Sequence, residues 1–354
     1  MPAEENVKVS IALALAWLAS TPTLFAHEPQ GRPELVVYTY DSLMSKQGWG
    51  TAVFPEFEQK CGCTVKVIAT GDGGQVLSRL QLDAERGKPT AQVVVGLDQH
   101  LWEKAKPFVE SWGAWRPREF DRLQRDARVG APGEGFLPFD YGVFAFMADT
   151  QALSEQGLHV PRSLQDLLKP EWKRKIILED PRTSTPGLAF LLFTQVSEGA
   201  KVGEFWKKLA SQWLTLAPGW DAGYGLFLKK ESPLVWSYTT SQAYHEENGD
   251  SAKRYRAVVL EEGQPLQIEG AALVKGALDA PGARDRAKAF LEFLISKDAQ
   301  ARIPRTQWMM PARSDVKLPA SFMHLPVATR IHRIETRPDS VERDLKSWLG
   351  FIQG

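Results

Sequence analysis

Residues 179–188 read EDPRTSTPGL and lead directly into the apolar run AFLLF at 189–193. Ser184 or Thr185 can cap a helix whose first position is Pro186, where proline is tolerated because the first N–H groups of a helix have no intrahelical acceptor. A cap requires one hydroxyl residue, yet three stand in a row. The stretch therefore predicts the start of a buried helix that also binds an oxygen of a phosphate or carboxylate group.

Arg182 lies within this stretch and has two interpretations. Its guanidinium group can bind the same ligand oxygen, because arginine pairs well with carboxylates and phosphates. Alternatively, it pairs with Asp180 or Glu179 and only holds the loop. The sequence leaves both roles open.

Apolar strand-like runs alternate with amphipathic helical patterns along the chain, and these runs are 34–40, 63–69, 91–97, 139–149, 175–180 and 233–240. Continuous apolar strands between such helices indicate a parallel sheet covered on both faces. Two later segments, 254–260 and 267–276, are expected to pair with each other as strands. With 354 residues and 43% hydrophobic content, the chain can bury the cores of two lobes, so we predict two α/β lobes.

The charges of the chain are balanced, with 43 basic and 43 acidic residues. No block of Lys and Arg follows the chain in the way that a phosphate backbone requires, so nucleic acid is not an expected partner. The 12 tryptophans are the unusual feature of the composition. Because a buried indole N–H needs a hydrogen-bond partner, we expect some of these side chains to face a ligand.

The N-terminus carries a short apolar run, VSIALALAWLAS at 9–20. It is too short to span a bilayer and is typical of an export signal, so we predict a signal peptide over 1–26 and a location outside the cytoplasm. The alternatives are a mildly apolar leader or a start codon placed too early. No later stretch is apolar for about 20 residues, so no direct membrane span is expected.

Cys61 and Cys63 are the only cysteines. They lack the second pair that a structural zinc site needs, and either a disulfide or two free thiols is open. Both precede the predicted strand at 63–69 or begin it. They are therefore expected far from the carboxyl ends of the strands and are poor candidates for catalysis.

In open parallel sheets, ligands bind where the carboxyl ends of the strands lead into helices. Three further segments reach these ends in addition to EDPRTSTPG, namely YTYDS at 38–42, GDGG at 71–74 and YTTSQAY at 238–244. In GDGG, Asp72 either caps the next helix or leaves its N–H groups free for an anion. Taken alone, the motif favours a tight turn with Asp72 as the cap.

Aromatic residues accompany the same segments. Aromatic faces attract cations and stack on flat rings, so the set suits a planar or positively charged small molecule, although core packing is the alternative for each. For Tyr38 we expect core packing, and for Trp220 and Tyr238 we expect ligand contact. The other candidates are Tyr40, Trp49, Tyr224, Tyr244 and Trp308.

Five segments, in this order and at these spacings, resemble the thiamine-binding proteins of bacterial ABC importers. The resemblance runs from about residue 34 to about residue 315. DPRTSTPGL alone resembles the wider family of two-lobed periplasmic binding proteins, and the YTTSQAYH segment and the tryptophans narrow it to thiamine. The segments are VVYTYDS (36–42), DYGVFAF (140–146), DPRTSTPGL (180–188), GWDAGYGLFLK (219–229) and VWSYTTSQAYH (235–245).

The resemblance implies a type II periplasmic-binding-protein fold, with each lobe a mostly parallel sheet flanked by helices. Crossover strands near 143–149 and 256–274 are expected to join the two lobes, which close on the ligand by a hinge. On this basis lobe 1 comprises 33–145 plus 260–354, and lobe 2 comprises 146–259. The resemblance also implies a periplasmic protein that binds thiamine and its mono- and diphosphate, uses no cofactor or metal and docks on an ABC permease and its ATPase.

Ligand-binding positions are implied in the same way. Asp72, Gly73, Ser184, Thr185, Trp220, Tyr238, Thr239, Thr240 and Ser241 match the ligand-contacting positions of the resembled family. Tyr40, Trp49, Tyr244 and Trp308 match aromatic residues that flank them. The chain departs from the family at Gly71, where an acid is usual, and at Met310, where an aromatic residue is common.

Two other functions are compatible with such a fold. A thiaminase uses a cysteine nucleophile, and since no cysteine is expected at the carboxyl ends of the strands, we predict no catalytic residue and no turnover. A binding protein for ferric iron would have adjacent tyrosines, and one for a polyamine would have several acids in its cleft. The sequence gives neither signature.

Overall fold

The computed structural model describes residues 31–129, 133–250 and 253–353. The predicted signal peptide at 1–26 lies outside these residues. The strands are β1 (Glu34–Thr39), β2 (Thr64–Ala69), β3 (Val93–Asp98), β4 (Leu137–Asp149), β5 (Ile176–Glu179), β6 (Trp213–Ala217), β7 (Leu234–Tyr238), β8 (Tyr255–Val258), β9 (Gln264–Leu273), β10 (Met310–Pro311) and β11 (Ile331–His332).

The α-helices follow the strands in the alternation that the apolar runs predict. They are α1 (Trp49–Cys61), α2 (Gly73–Glu85), α3 (Gln99–Ala105), α4 (Thr150–Glu155), α5 (Thr185–Glu198), α6 (Val202–Leu209), α7 (Trp220–Leu228), α8 (Ser241–Glu247), α9 (Ala283–Leu294), α10 (Lys297–Thr306) and α11 (Pro338–Gln353). In the part of the chain that the structure describes, no helix is both long and apolar enough to cross a membrane.

The strands form a mixed sheet in the order β2-β1-β3-β9-β4-β7-β5-β6. β1 runs parallel to β2 and β3, and β5 runs parallel to β6 and β7. β9 is antiparallel to β3 and β4 and closes the first set. The predicted fold is confirmed, with two parallel sets of strands whose carboxyl ends carry the predicted binding segments.

β4 belongs to both halves of the sheet. Its first part, from Leu137 to Val143, pairs with β9, and its second part, from Phe144 to Ala148, pairs with β7. The partner therefore changes at the start of the predicted crossover strand 143–149.

The expected pairing of segments 254–260 and 267–276 is wrong. β8 and β9 both run antiparallel to β4, so they point in the same direction and do not form a hairpin. β8 pairs with the second part of β4 and β9 with its first part. Strand propensity located both segments correctly but could not identify β4 as their common partner.

Burial explains the composition of the central elements. β3 is buried at every position, as expected of a strand covered on both faces. α5 is buried without interruption from Thr185 to Thr194, which accounts for its apolar run without helical periodicity. One large hydrophobic cluster centres on β1, β3 and β9, and two others lie on the faces of β5 and β7. The lobe boundaries themselves, 33–145 plus 260–354 and 146–259, stay a prediction.

Candidate functional site

The helix predicted from EDPRTSTPGL begins at Thr185, directly after Ser184. The hydroxyl of Ser184 caps it by accepting a 3.5 Å hydrogen bond from the N–H of Gly187. Arg182 donates from Nε and Nη2 to the carboxylate of Asp180 at 2.9 and 2.5 Å, and its guanidinium lies 5.8 Å from the ring centre of Trp348. Arg182 therefore holds the loop.

Asp72 lies where three helices begin. One oxygen caps α2 by accepting from the N–H of Gly73 at 2.6 Å, and the other accepts from the N–H of Trp220, the first residue of α7, at 3.1 Å. The hydroxyl of Ser184 and the N–H of Thr185 at the start of α5 lie close to this carboxylate. Burial raises the pKa of Asp72, and these hydrogen bonds oppose the rise by stabilising its ionised form. The anion at the start of α5 is therefore a side chain of the protein itself.

The hydroxyl of Thr185 points to another carboxylate. It donates to Oδ2 of Asp98 at 2.5 Å, and Oδ1 of Asp98 accepts from the N–H groups of His100 and Leu101 and caps α3. A Cβ atom at Gly73 would come within 2.5 Å of the Thr185 hydroxyl oxygen, so glycine allows α2 and α5 to approach each other closely. Neither Gly73 nor Thr185, the first residues of these helices, lines the cavity in which Asp72 lies.

A cavity of about 240 Å³ lies in front of Asp72. Seven of the predicted residues line it, namely Tyr40, Asp72, Trp220, Tyr238, Ser241, Tyr244 and Trp308. The other six predicted residues do not line it, namely Trp49, Gly73, Ser184, Thr185, Thr239 and Thr240. The structure thus brings together the aromatic part of the predicted site and places most of its hydroxyl groups outside the cavity surface.

The aromatic side chains form two walls. Trp220 stacks on Tyr224 with ring centres 4.8 Å apart, and its indole N–H donates to the Ser237 hydroxyl at 2.8 Å. On the other wall, Tyr244 and Trp308 meet edge to face at 5.2 Å. Trp308 has a left-handed backbone with φ 55°, a strained conformation that in proteins clusters at functional sites. These walls suit a flat, positively charged ring.

Trp49 is not part of the cavity, and its assignment as a flanking aromatic is corrected. Its side chain is 0% exposed, stacks on Phe139 at 5.1 Å and donates its indole N–H to the carbonyl of Ala299 at 2.8 Å. Trp49 therefore stabilises the hydrophobic core next to β1. Thr239 and Thr240 are buried at the end of β7 and the start of α8, where Thr240 occupies the cap position.

Sequence reasoning missed several residues of the cavity. Gln267 and Glu269 lie two positions apart on β9 and therefore point to the same face of the sheet. The sequence could have indicated these two residues, because two polar residues with this spacing interrupt a largely apolar strand. Tyr224, one of the aromatic candidates, also lines the cavity, and the lining side chains that the sequence did not suggest include Asp221, Gln267, Glu269, Gln307 and Met309.

Acidic groups dominate the electrostatics of the cavity. Asp72, Asp221 and Glu269 line it, and no Lys, Arg or His is among the described lining residues. Burial raises the pKa of Glu269 to about 7. Burial, followed by the nearby Asp72, also raises the pKa of Glu179, whose carboxylate has no hydrogen-bond partner among the described residues. The expectation that the cleft lacks several acids is therefore wrong, because these carboxylates come from segments far apart in the chain.

The two departures from the resembled family have local structural settings. Gly71 has φ +61°, and a Cβ atom there would lie 1.6 Å from the Gln75 oxygen that accepts the N–H of Asp72. Any side chain at Gly71 would thus disturb the start of α2. Met310 pairs with Tyr141 across β10 and β4, while the preceding Met309 lines the cavity.

Cys61 and Cys63 form a disulfide between the end of α1 and the start of β2. Neither sulfur lines the cavity, in agreement with the expectation that the pair lies away from the carboxyl ends of the strands. Within residues 31–129, 133–250 and 253–353, no group of three or more His, Cys, Asp or Glu residues is arranged to hold a metal ion.

Comparison with known proteins identifies relatives over nearly the whole chain. The profile of the bacterial extracellular solute-binding protein family matches residues 52–328. A thiamine-binding periplasmic protein of Salmonella typhimurium is 40% identical over 333 residues, which cover 91% of this chain and 93% of that protein. Its counterpart in Brucella suis is 39% identical over 321 residues, or 90% and 91% of the two chains. A solved periplasmic thiamin binding protein superposes with a TM-score of 0.78 at 37% identity and covers 91% of this chain and 96% of its own.

Proposed function

Because the chain belongs to the bacterial extracellular solute-binding protein family, we propose that it captures thiamine and its phosphate esters and delivers them to an ABC importer. The protein works in the periplasm, as its relatives do. Capture requires closure around the ligand and docking on a permease, whose ATPase supplies the energy from the other side of the membrane. Thiamine itself is not changed.

The observation that carries the proposal is the combination of aromatic walls and carboxyl groups in one cavity. Thiamine joins an aminopyrimidine to a thiazolium ring that is always positively charged. The stacked pair of Trp220 and Tyr224 offers a flat surface, and Asp72 and Glu269 offer negative charge. Stacking and cation–π attraction are together worth about 1 to 3 kcal/mol for such a ring.

Phosphate esters require a different part of the cavity. The N–H of Trp220 at the start of α7 already donates to the Asp72 carboxylate, which also lies close to the start of α5, and no basic side chain lines the described cavity. Ser184 does not line the described cavity, so a phosphate bound by the N–H groups and the Ser184 hydroxyl at these helix starts has to displace the Asp72 carboxylate from them. This arrangement makes Asp72 a competitor of the phosphate as well as a ligand of the cation.

A polyamine is the second candidate ligand, because Asp72, Asp221 and Glu269 could bind several ammonium groups. The stacked aromatic walls favour thiamine, since a flexible aliphatic chain gains little from a flat ring pair. Titration calorimetry separates the two ligands. We expect thiamine to bind one to one with a dissociation constant below about 1 μM, and spermidine to bind at least 100-fold more weakly. If spermidine binds more tightly than thiamine, the protein is a polyamine-binding protein and the proposal of thiamine is wrong.

We also propose that the protein is not an enzyme. The curated relatives are named as binding proteins, and the cavity lining contains no cysteine that could act as a nucleophile. Incubation of purified protein with thiamine should leave its concentration unchanged by chromatography. Progressive loss of thiamine that scales with protein concentration would identify a thiaminase instead.

A further inference from the structure

Three carboxyl groups stand side by side across the middle of the sheet. Glu269 on β9 pairs in register with Asp98 on β3 at one side and with Asp140 on β4 at the other. In-register side chains of neighbouring strands point to the same face. Asp98 is compensated by two N–H groups of α3 and by the Thr185 hydroxyl. The carboxyl groups of Glu269 and Asp140 accept fewer hydrogen bonds than that of Asp98.

Glu269 and Asp140 form a pair at the floor of the cavity. Glu269 is 6% exposed and accepts a 2.9 Å hydrogen bond from the Tyr40 hydroxyl and a long one, 3.5 Å, from Gln307. Asp140 is fully buried and accepts no hydrogen bond from an N–H or hydroxyl group of the described residues. Its carboxyl group is in register with that of Glu269 on the neighbouring strand, on the same face of the sheet. Two buried carboxyl groups at this spacing repel each other when both are ionised, so one of them is expected to carry a proton.

Among the described residues that line the cavity, no side chain carries a positive charge that could offset an ionised carboxyl group. The groups that face the pair are acids or phenols, and the lining of the described cavity has no Lys or Arg. On α3, which packs against β9, burial lowers the pKa of His100 and keeps this imidazole neutral. The titratable groups around the pair are Tyr40 after β1, Asp72 before α2, Asp98 on β3 and Tyr238 on β7. A cation in the cavity would therefore supply charge that the protein lacks.

We propose that the Asp140–Glu269 pair is the cation-recognising element of the cavity, and that binding of a cationic ligand beside Glu269 releases a proton from the pair. In the bound state Asp140 keeps one proton and donates it to an ionised Glu269, whose negative charge faces the ligand. The released proton goes to solvent. This inference rests on the proposed function for the identity of the cation, the thiazolium ring of thiamine.

The ionisation of the two groups supports this linkage. Burial and then the neighbouring Glu269 raise the pKa of Asp140 well above its ordinary value, so Asp140 holds its proton at neutral pH. Burial raises the pKa of Glu269 to about 7, so near neutral pH this carboxyl group is protonated in roughly half of the molecules. A cation favours the ionised form. Affinity is therefore expected to rise about tenfold from pH 6 to pH 8 and to change little above that.

The test measures proton release directly. Thiamine is titrated into ligand-free protein at pH 6, 7 and 8 in two buffers that differ in their heat of ionisation, which gives the number of protons released per thiamine bound. We expect close to one proton at pH 6, about half at pH 7 and few at pH 8. The thiazolium charge is constant over this range, so the protein is the source of the proton.

Two substitutions have opposite expected effects on affinity. Glu269→Gln removes the charge, so affinity should be low at every pH, at least tenfold below the native value at pH 8, with no proton release. Asp140→Asn supplies an N–H donor to Glu269 and removes the coupled acid, so affinity at pH 6 should rise towards the native value at pH 8. Glu179→Gln, which alters a buried acid outside the cavity lining, is the matched control and should release protons as the native chain does.

The outcomes separate this inference from the proposed function. If the native chain binds thiamine tightly without a pH dependence and without releasing protons, the inference is overturned and the proposed function stands. If Glu269→Gln retains proton release, the proton comes from another group and the assignment to this pair is overturned. If thiamine gives no saturable heat at any pH, the proposed function itself fails.

Discussion

The backbone N–H of Trp220 donates a hydrogen bond to Oδ2 of Asp72 at 3.1 Å, although 148 positions separate the two residues in the chain. Asp72 caps α2 and Trp220 begins α7, so one carboxylate joins the starts of two helices that follow strands of different parallel sets. The same carboxylate reaches the start of α5. Asp72 is thus the centre on which the polar end of the cavity is organised.

Asp72→Asn tests this arrangement, because it keeps the shape of the side chain and removes its charge. Thiamine affinity is expected to fall by about 1 to 2 kcal/mol, since a cation loses a nearby charge and three helix starts lose their anion. Thiamine monophosphate should lose less affinity than thiamine, because its phosphate no longer competes with the Asp72 carboxylate for the same N–H groups. Calorimetry gives the dissociation constants of both ligands and hence the ratio of their affinity losses. An equal loss of affinity for thiamine and thiamine monophosphate would contradict the proposed competition between the phosphate and Asp72.

Ser184→Ala removes the hydroxyl that caps α5 and lies close to Asp72. If a phosphate ester binds beside Asp72, it should lose the same donor, and its affinity should fall by roughly 1 kcal/mol while that of thiamine changes little. The double substitution Ser184→Ala with Thr185→Ala should enlarge the difference. Since Thr185 also bonds to the buried Asp98, the unfolding free energy of each variant must be measured in parallel.

Trp220→Ala should weaken thiamine binding by about 1 to 3 kcal/mol, because it removes one member of the stacked aromatic wall. Trp49→Phe is the matched control. It deletes the hydrogen bond to Ala299 in the core and should lower stability without changing affinity. A dissociation constant that Trp220→Ala leaves unchanged would remove this residue from the binding site.

The pH dependence of stability follows from Glu269, whose pKa rises through burial from 4.5 to about 7. An acid with a raised pKa contributes stability that is fully present below its unfolded pKa and is lost as the pH rises through its folded pKa. From pH 5 to pH 8, the ligand-free native chain should therefore lose about 1 to 3 kcal/mol of unfolding free energy through this group. Urea unfolding of the native chain and Glu269→Gln gives the difference, which should grow with pH; a difference that stays constant would show that Glu269 does not titrate in this range.

Local rules were sufficient where the residues that decide a feature are close in sequence. The start of α5, the cap by Ser184 and the cap of α2 by Asp72 depend on neighbours within a few positions. The carboxyl-end rule for parallel strands then placed Tyr40, Trp220 and Tyr238 at one cavity. Periodicity and turn chemistry therefore predicted the framework of the site.

Features that depend on distant partners could not be predicted in this way. The role of Trp49 is decided by a carbonyl 250 positions away, and the pairing of β8 and β9 by their common partner β4. Glu269 becomes part of the cavity only because β9 crosses between β3 and β4. The hydroxyl of Thr185 has its partner in Asp98, 87 positions away, which no local pattern could reveal.

Mass spectrometry of the small molecules released from freshly purified, denatured protein tests the central claim most directly. The protein should be exported to the periplasm of a thiamine-replete host and purified quickly, since a tightly bound ligand survives purification. We expect thiamine or one of its phosphate esters at a ratio approaching one per chain, and much less in Trp220→Ala purified in parallel. Release of a different compound, such as a polyamine, at that ratio and without thiamine would contradict the account.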